Sequence, residues 1–182
     1  GDGSAREMDF LRISMAGTLA DYVLKDANDT AAKASAMSWN GQPAGYAGDP
    51  ADIINYVSKH DNETLWDKLQ YGLPADVMRA DRVRIQNVAA TIPLMSQGIP
   101  FLQMGGDMIR SKSMDRDSYD SGDWFNYVDF TQQTNNWHVG LPIADKNQGA
   151  WPTISELFAN EETAVTADDI AFASGCELVV VT

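Results

Sequence analysis

Between residues 5 and 27 apolar side chains recur every three to four positions, at Leu11, Met15, Leu19, Tyr22 and Val23. That spacing predicts a helix with one buried stripe, weakened in mid-segment by Gly17. From Asn28 to Gly48 the pattern dissolves into Ala, Ser, Asn, Gly and Pro, with Trp39 and Tyr46 as aromatic islands, and predicts a loop. After Pro50 the run Ile53-Ile54-Asn55-Tyr56-Val57 does not alternate, which suits a strand covered on both faces, as in a parallel sheet. It stops at Ser58-Lys59-His60-Asp61-Asn62-Glu63, and the C-terminal end of a buried strand is where α/β proteins place their chemistry. From Ala80 to Ser96, Val83, Ile85, Val88, Ala89, Ile92 and Met95 keep near-helical spacing, with Pro93 bending or ending the helix close to its last turn and Gly98 as a stop. Pro100 to Met104 is a second short strand, closed by Gly105-Gly106-Asp107. The order strand, loop, helix, strand predicts a right-handed βαβ unit whose two strands are parallel neighbours.

The stretch from Arg110 to Asn126 is too polar to be buried wholesale and too aromatic for a plain linker, and a long loop of that kind above a rigid scaffold is functional as a rule. Farther on, Trp151-Pro152 opens a short helix ending near Asn160. Glu161-Glu162 to Asp168-Asp169 reads as solvated surface, as does the pair Lys59 and Glu63. No internal repeat or low-complexity tract interrupts the chain.

Composition narrows the partners. The 182 residues suffice for one domain but are about half of a large barrel-type enzyme. With 26 Asp+Glu against 13 Lys+Arg, the formal charge is −13, and residues 131–182 hold seven acids and one Lys. Such a surface repels phosphate backbones and anionic lipid, which argues against nucleic acid and membrane surfaces as partners and leaves neutral substrates open. No apolar run reaches the roughly 20 residues that span a bilayer. The first residues, GDGSAREMD, carry neither the basic nor the apolar region of a signal peptide and no initiator Met, so position 1 is expected to be interior to a longer protein.

Several site chemistries fail on inspection. The sequence has no GxGxxG, no phosphate-binding P-loop and no GxSxG. His60 and His138 stand 78 positions apart with Cys176 as the one thiol, too few nitrogen and sulfur ligands for zinc. Asp115, Asp117, Asp120 and Asp123 invite calcium, yet the EF-hand pattern counted from Asp115 puts Tyr119 at its fifth position and Asp120 where Gly is required. What remains concentrated is His60-Asp61 with Asn62, Glu63 and Trp66. On an extended chain neighbouring side chains diverge, but at a turn both can face one pocket. An imidazole, a carboxylate, an amide and a nearby indole suit a sugar, offering planar hydrogen-bonding groups to hydroxyls and a ring face to the pyranose.

The stretch from Tyr56 to Asp67, YVSKHDNETLWD, resembles the fourth signature region of the α-amylase superfamily in the form found in pullulanases and limit dextrinases. The resemblance continues through Asn40 to Ala47, Arg82 to Gln86, Gln97 to Phe101, Arg110 to Ser113 and the run RDSYDSGDWFN from Arg116 to Asn126, and covers roughly residues 8–142.

What the resemblance implies is an α/β fold, the C-terminal part of a (β/α)8 TIM barrel from about the sixth helix to the eighth strand and its following loops. Residues 1–142 would be barrel, and residues 143–182 its end plus a trailing segment cut before a C-terminal β domain. It further implies a retaining glycoside hydrolase that cuts α-1,6-glucosidic links in pullulan, limit dextrins, glycogen or amylopectin. In that family an Asp nucleophile and a Glu acid/base follow the fourth and fifth strands, upstream of this chain. The third catalytic carboxylate, which stabilises the transition state, corresponds to Asp61. His60 then holds the sugar in subsite −1, Asp117 bonds the same sugar, and Asn62, Tyr119 and Asn126 are further substrate contacts. The implied partners are a branched α-glucan and the missing upstream half of the barrel, without which the chain is expected to be inactive. No cofactor is required by this reading; structural calcium is possible in the parent, with no site assigned here. A polymeric substrate points to a secreted or cell-surface bacterial enzyme.

Other residues have plainer readings. Trp39, Tyr46, Trp124 and Trp137 are expected to pack, Ile85, Val88, Ile92 and Met95 to form core, and Cys176 to be an inert small hydrophobe. A contrasting function is a non-catalytic α-glucan-binding or structural module.

Overall fold

The computed structural model describes the backbone of residues 4–181 and the side chains of residues 4–175. Cys176 therefore lies outside the described side chains. The chain forms two compact units, Gly1–Tyr56 with Ile92–Phe101, and Val57–Thr91 with Leu102–Thr182.

The first unit opens with helix α1 (Ala5–Met15), started by a reciprocal cap in which the Ser4 hydroxyl accepts the Glu7 N–H at 3.2 Å and the Glu7 carboxylate accepts the Ser4 N–H at 2.7 Å. It does not run on to residue 27. Gly17 and Thr18 take φ of 75° and 53°, turning the chain toward strand β1 (Val23–Lys25), which pairs antiparallel with β2 (Ala31–Lys33). The inward positions of α1 are Asp9 and Ile13 instead of Leu11 and Met15, and Asp9 accepts the Ala27 N–H at 2.7 Å. The segment expected as loop holds a second hairpin, β3 (Ser38–Trp39) with β4 (Gln42–Pro43), around Asn40-Gly41 at φ of 48° and 81°, the mirror-type turn that an Asn-Gly pair favours. Ile13, Leu24 and Ala34 form the core, with Phe10, Tyr22, Met37 and Ala44 against them.

Strand β5 (Ile54–Asn55) pairs parallel with β6 (Ile99–Pro100), the neighbourhood the sequence predicts, but each strand is two residues long. Ile54 and Ile99 are exposed, so neither run is covered on both faces.

The expected portion of a (β/α)8 barrel is not what the structure shows. Among the described residues, six strands of two or three residues pair only two by two, and one of the three pairs is parallel. A barrel needs each strand flanked on both sides by others long enough to carry tilt and stagger, and neither β5 nor β6 has a second neighbour. Among the described residues helices make up most of the regular structure, and the strand ladders are short.

The second unit contains α2 (Leu65–Gly72), most of α3 (Arg79–Met95), the short helices α4 (Asp123–Asn126) and α5 (Ala144–Asn147), then α6 (Trp151–Ala159) and α7 (Ala167–Val181). Trp66, Val83, Ile109 and Ala173 are its core, packed by Trp137 and Val165. Helix α3 buries Arg82, Val83, Gln86, Ala90 and Pro93, so the stripe read as core is not one: Val88 and Met95 are exposed. Arg82 ties α3 to the end of α2, donating to the Gln70 side-chain oxygen at 2.8 Å and to the carbonyls of Pro74 and Val77 at 2.6 and 2.9 Å. Arg79 draws in part of the acidic segment expected to be solvated: its N–H donates to Glu162 at 2.5 Å and its side chain pairs with Asp169 at 3.0 Å.

Candidate functional site

The polar turn after β5 is held from beneath. The Ser58 hydroxyl donates to the Gln103 side-chain oxygen at 2.5 Å, and the Gln103 amide donates to the Lys59 carbonyl at 2.7 Å. The Lys112 ammonium donates to the His60 carbonyl at 3.1 Å. Asn62 adopts φ of 59°, a left-handed conformation that Asn tolerates, and Thr64 then caps α2 by accepting the Asp67 N–H at 3.2 Å. The reversal settles the question that spacing left open: His60 Nε2 lies 3.4 Å from Asp61 Oδ2, so the two side chains converge. Both face solvent, His60 at 85% and Asp61 at 59% of full side-chain exposure.

Lys59 donates a hydrogen bond to Asp61, and chiefly through that bond, with help from the charges of His60, Lys59 and Lys112, the Asp61 carboxyl is held below the usual carboxylate range. An exposed carboxylate kept ionised is an acceptor, suited to bonding hydroxyls and facing developing positive charge. It is poorly suited to delivering a proton.

The second cluster lies on the polar loop from Arg110 to Asn126. Its first half is buried: Ser111, Lys112, Ser113, Met114 and Asp115 are all inside. Burial is tolerable because each polar group has a partner. Asp67 accepts the Ser111 hydroxyl at 2.5 Å and the N–H groups of Lys112 and Met114 at 2.8 and 3.2 Å. Ser113 donates to the Gly140 carbonyl at 2.7 Å. Asp115 accepts the Asp117 N–H at 2.9 Å, the Ser121 hydroxyl at 2.6 Å and the Asn147 amide at 3.2 Å.

On this footing the second half projects outward. Asp117 pairs with Lys146 at 3.1 Å, Asp120 lies 3.6 Å from the same ammonium, and that ammonium sits 4.6 Å above the Tyr119 ring. The hydrogen bond to Asp117 is the main reason the Lys146 pKa is raised. Tyr119 is 81% exposed. The Asn126 amide is engaged in both directions by Ser118, accepting its hydroxyl at 2.8 Å and donating to its carbonyl at 2.6 Å, which closes the loop.

The structure thus gathers His60, Asp61 and Asn62 on one turn and Asp117, Tyr119 and Asn126 on one loop. Their ion pairs are separate: Lys59 and His60 serve Asp61, and Lys146 serves Asp117. Sequence reasoning missed Lys59, Lys112 and Lys146, the three cations around these carboxylates. It placed Lys59 at a solvated rim, where the structure shows it two-thirds covered and bonded to Asp61. A lysine amid Arg-Ser-Lys-Ser carried the one available hint for Lys112, because a polar run that tight must satisfy its charges somewhere.

Among the described residues, no three His, Cys, Asp or Glu side chains are placed to share a metal ion. Asp115, which began the calcium count, spends its oxygens on protein donors. In the first unit a separate open groove of about 700 Å3 is lined by Phe10, Trp39, Gln42 and Tyr46 among others. Trp39, Tyr46 and Trp124 are more than half exposed, against the expectation that they pack, whereas Trp137 packs edge-on to Phe158 at 5.0 Å.

Comparison with known proteins supplies the family context. A family model described as alpha-1,6-glucosidases, pullulanase-type, C-terminal, matches residues 132–178. The chain is 52% identical over 149 residues to a pullulanase of Klebsiella pneumoniae, covering 82% of this chain and 14% of that protein. It is 45% identical over 145 residues to the chloroplastic pullulanase 1 of Arabidopsis thaliana, covering 79% and 15%. Among solved structures, the Klebsiella pneumoniae pullulanase complexed with maltotriose superposes with a TM-score of 0.91 at 39% identity, over 97% of this chain and 17% of that one. The chain spans about one-seventh of the length of the curated relatives it matches.

Proposed function

We propose that this chain, which belongs to the pullulanase family, works as part of a starch-debranching glycoside hydrolase that cleaves α-1,6-glucosidic links in a branched α-glucan with retention. The observation that carries the reading is the convergence of His60 and Asp61 on an exposed turn, with Asp61 held ionised by Lys59. The 45–52% identity to pullulanases and the likeness to a maltotriose-bound one support the substrate class.

Retaining hydrolysis takes a nucleophile and a proton donor flanking an oxocarbenium-like transition state, and the rest of the enzyme supplies both. Asp61 is the third carboxylate. It grips sugar hydroxyls more strongly once the ring distorts toward that state, and its charge faces the developing positive charge; both are differential contributions that raise turnover. His60 donates to or accepts from the same sugar and orients it. Asp117, with its carboxylate aligned by Lys146, bonds that sugar from the other loop. Asn62, Tyr119 and Asn126 complete the contacts, Tyr119 through an exposed ring against which a pyranose can lie.

The test is reducing-end release by the intact protein from pullulan and from linear maltooligosaccharide. Release from pullulan and none from the linear substrate supports debranching. Binding of either without release would instead establish a non-catalytic α-glucan module.

A further inference from the structure

We infer that Lys112 is a positioning residue for the His60-Asp61 pair, tied to α2 by Asp67, and that the buried ammonium is kept for turnover at a cost in stability. The inference rests on the reading of His60 and Asp61 as substrate-binding groups.

The observations form a closed circuit within the second unit. The turn that carries His60 and Asp61 leads directly into α2, whose first turn bears Asp67. Asp67, itself fully buried, accepts the Ser111 hydroxyl at 2.5 Å and the backbone N–H of Lys112 at 2.8 Å. From there the Lys112 side chain runs back and donates to the His60 carbonyl at 3.1 Å. Two consecutive residues after it, Ser113 and Met114, hold φ of 51° and 65°, a strained conformation for side chains of that size that the Asp67 bond to the Met114 N–H helps to fix. Because the peptide plane of His60 is set from one side by Lys112 and the segment before it by Gln103 at the Lys59 carbonyl, the turn has little freedom to swing His60 and Asp61 apart.

A stability role explains Lys112 poorly. The residue is 1% exposed, and among the described residues no carboxylate lies within ion-pairing distance of its ammonium; its acceptor is a neutral carbonyl. Burial is the largest influence on the Lys112 pKa and pushes it down, outweighing the pull of Asp67, Asp115 and Glu63, so the ammonium costs folding free energy that an apolar chain of similar length would not. Toward the site the charge adds the smallest of the influences that lower Asp61, after the Lys59 bond and the charges of His60 and Lys59.

The experiment uses the intact enzyme with Lys112→Met, which removes charge and hydrogen bond, and Lys112→Gln, which keeps a donor without the charge. Lys112→Met is expected to lower kcat on pullulan by about 10- to 100-fold with KM changed less than about threefold, the cost of misplacing groups that act in the transition state. Its melting temperature is expected to equal or exceed that of the wild type, and Lys112→Gln to recover part of the lost kcat. A folded Lys112→Met with wild-type kcat overturns the inference, as does a loss of kcat that merely tracks a loss of stability. Should Lys112→Met not fold, Lys112→Gln decides: wild-type kcat in that variant overturns it. Asp61→Asn assayed alongside separates the two levels, because full activity there removes the underlying reading, whereas an inactive Asp61→Asn beside fully active Lys112 variants removes this inference alone.

Discussion

The carboxylate of Asp67 accepts the hydroxyl of Ser111 at 2.5 Å, although 44 residues separate them in the chain. That bond and the two backbone donors beside it fasten α2 to the start of the polar loop, and everything proposed for His60, Asp61 and Asp117 stands on this joint. Asp67→Ala leaves the Ser111 hydroxyl hydrogen and two buried N–H groups without an acceptor. It is expected to destabilise the intact protein by roughly 3 kcal/mol or more in urea unfolding, against about 1–2 kcal/mol for Ser111→Ala. Equal and negligible effects would show that the joint is dispensable.

Burial pushes the Asp67 carboxyl from 3.8 up to about 6, against the pull of Ser111, Lys112 and Met114. The folded state therefore holds this proton more tightly than the unfolded chain. Its contribution to stability is complete below about pH 3.8 and is lost as the pH rises through about 6, a span of ~3 kcal/mol. Asp61 and Asp129, held below their ordinary values chiefly by Lys59 and by the Thr131 hydroxyl, act oppositely, and their contribution is lost only as the pH falls below the ordinary carboxylate range. The unfolding free energy of wild type relative to Asp67→Asn is thus expected to fall as the pH is raised from 4 to 7. A constant difference over that range would refute the raised Asp67 value.

Lys146 joins Asp117, Asp120 and the Tyr119 ring at the mouth of the second loop. Partly exposed pairs contribute little to folding, so Lys146→Met is expected to leave the melting temperature nearly unchanged. Loss of Asp117 alignment is expected to lower kcat/KM on pullulan by about tenfold. An unchanged kcat/KM would detach Asp117 from the substrate.

Gly45 has no space for a methyl group: a Cβ there would stand 2.5 Å from the Ala34 Cβ and 2.7 Å from the Leu19 carbonyl oxygen. Gly45→Ala is expected to destabilise the first unit by about 1–3 kcal/mol, seen as a lower melting temperature with kcat unchanged. A neutral effect would mean that the Ala34 turn gives way easily.

Local chemistry was legible in the sequence where one residue type decides the outcome. Pro93 and Gly98 bracketed the end of α3, Trp151-Pro152 opened α6, and the parallel pairing of the strands around Ile54 and Ile99 followed from their order. The extent of those strands did not follow, because apolar runs such as Ile53 to Val57 say what could pair, while pairing needs neighbours. Helix periodicity misled twice. Asp9 and Gln86 go inward with one side-chain atom hydrogen-bonded and one oxygen without a hydrogen-bond partner each, and Val88 faces out, so hydropathy alone does not set the buried face. The site was half legible. His60, Asp61 and Asp117 stood out by type and context, but the lysines that align them are ordinary in sequence and gain meaning only from their distances.

The most direct measurement is the turnover of Asp61→Asn in the intact enzyme on pullulan, with substrate binding measured on the same variant. Asn keeps the shape of Asp61 and a hydrogen-bonding oxygen but loses the charge that faces the transition state. The account predicts kcat reduced by roughly 100- to 1,000-fold with binding changed only modestly. A variant that turns over pullulan within threefold of the wild-type rate would contradict it.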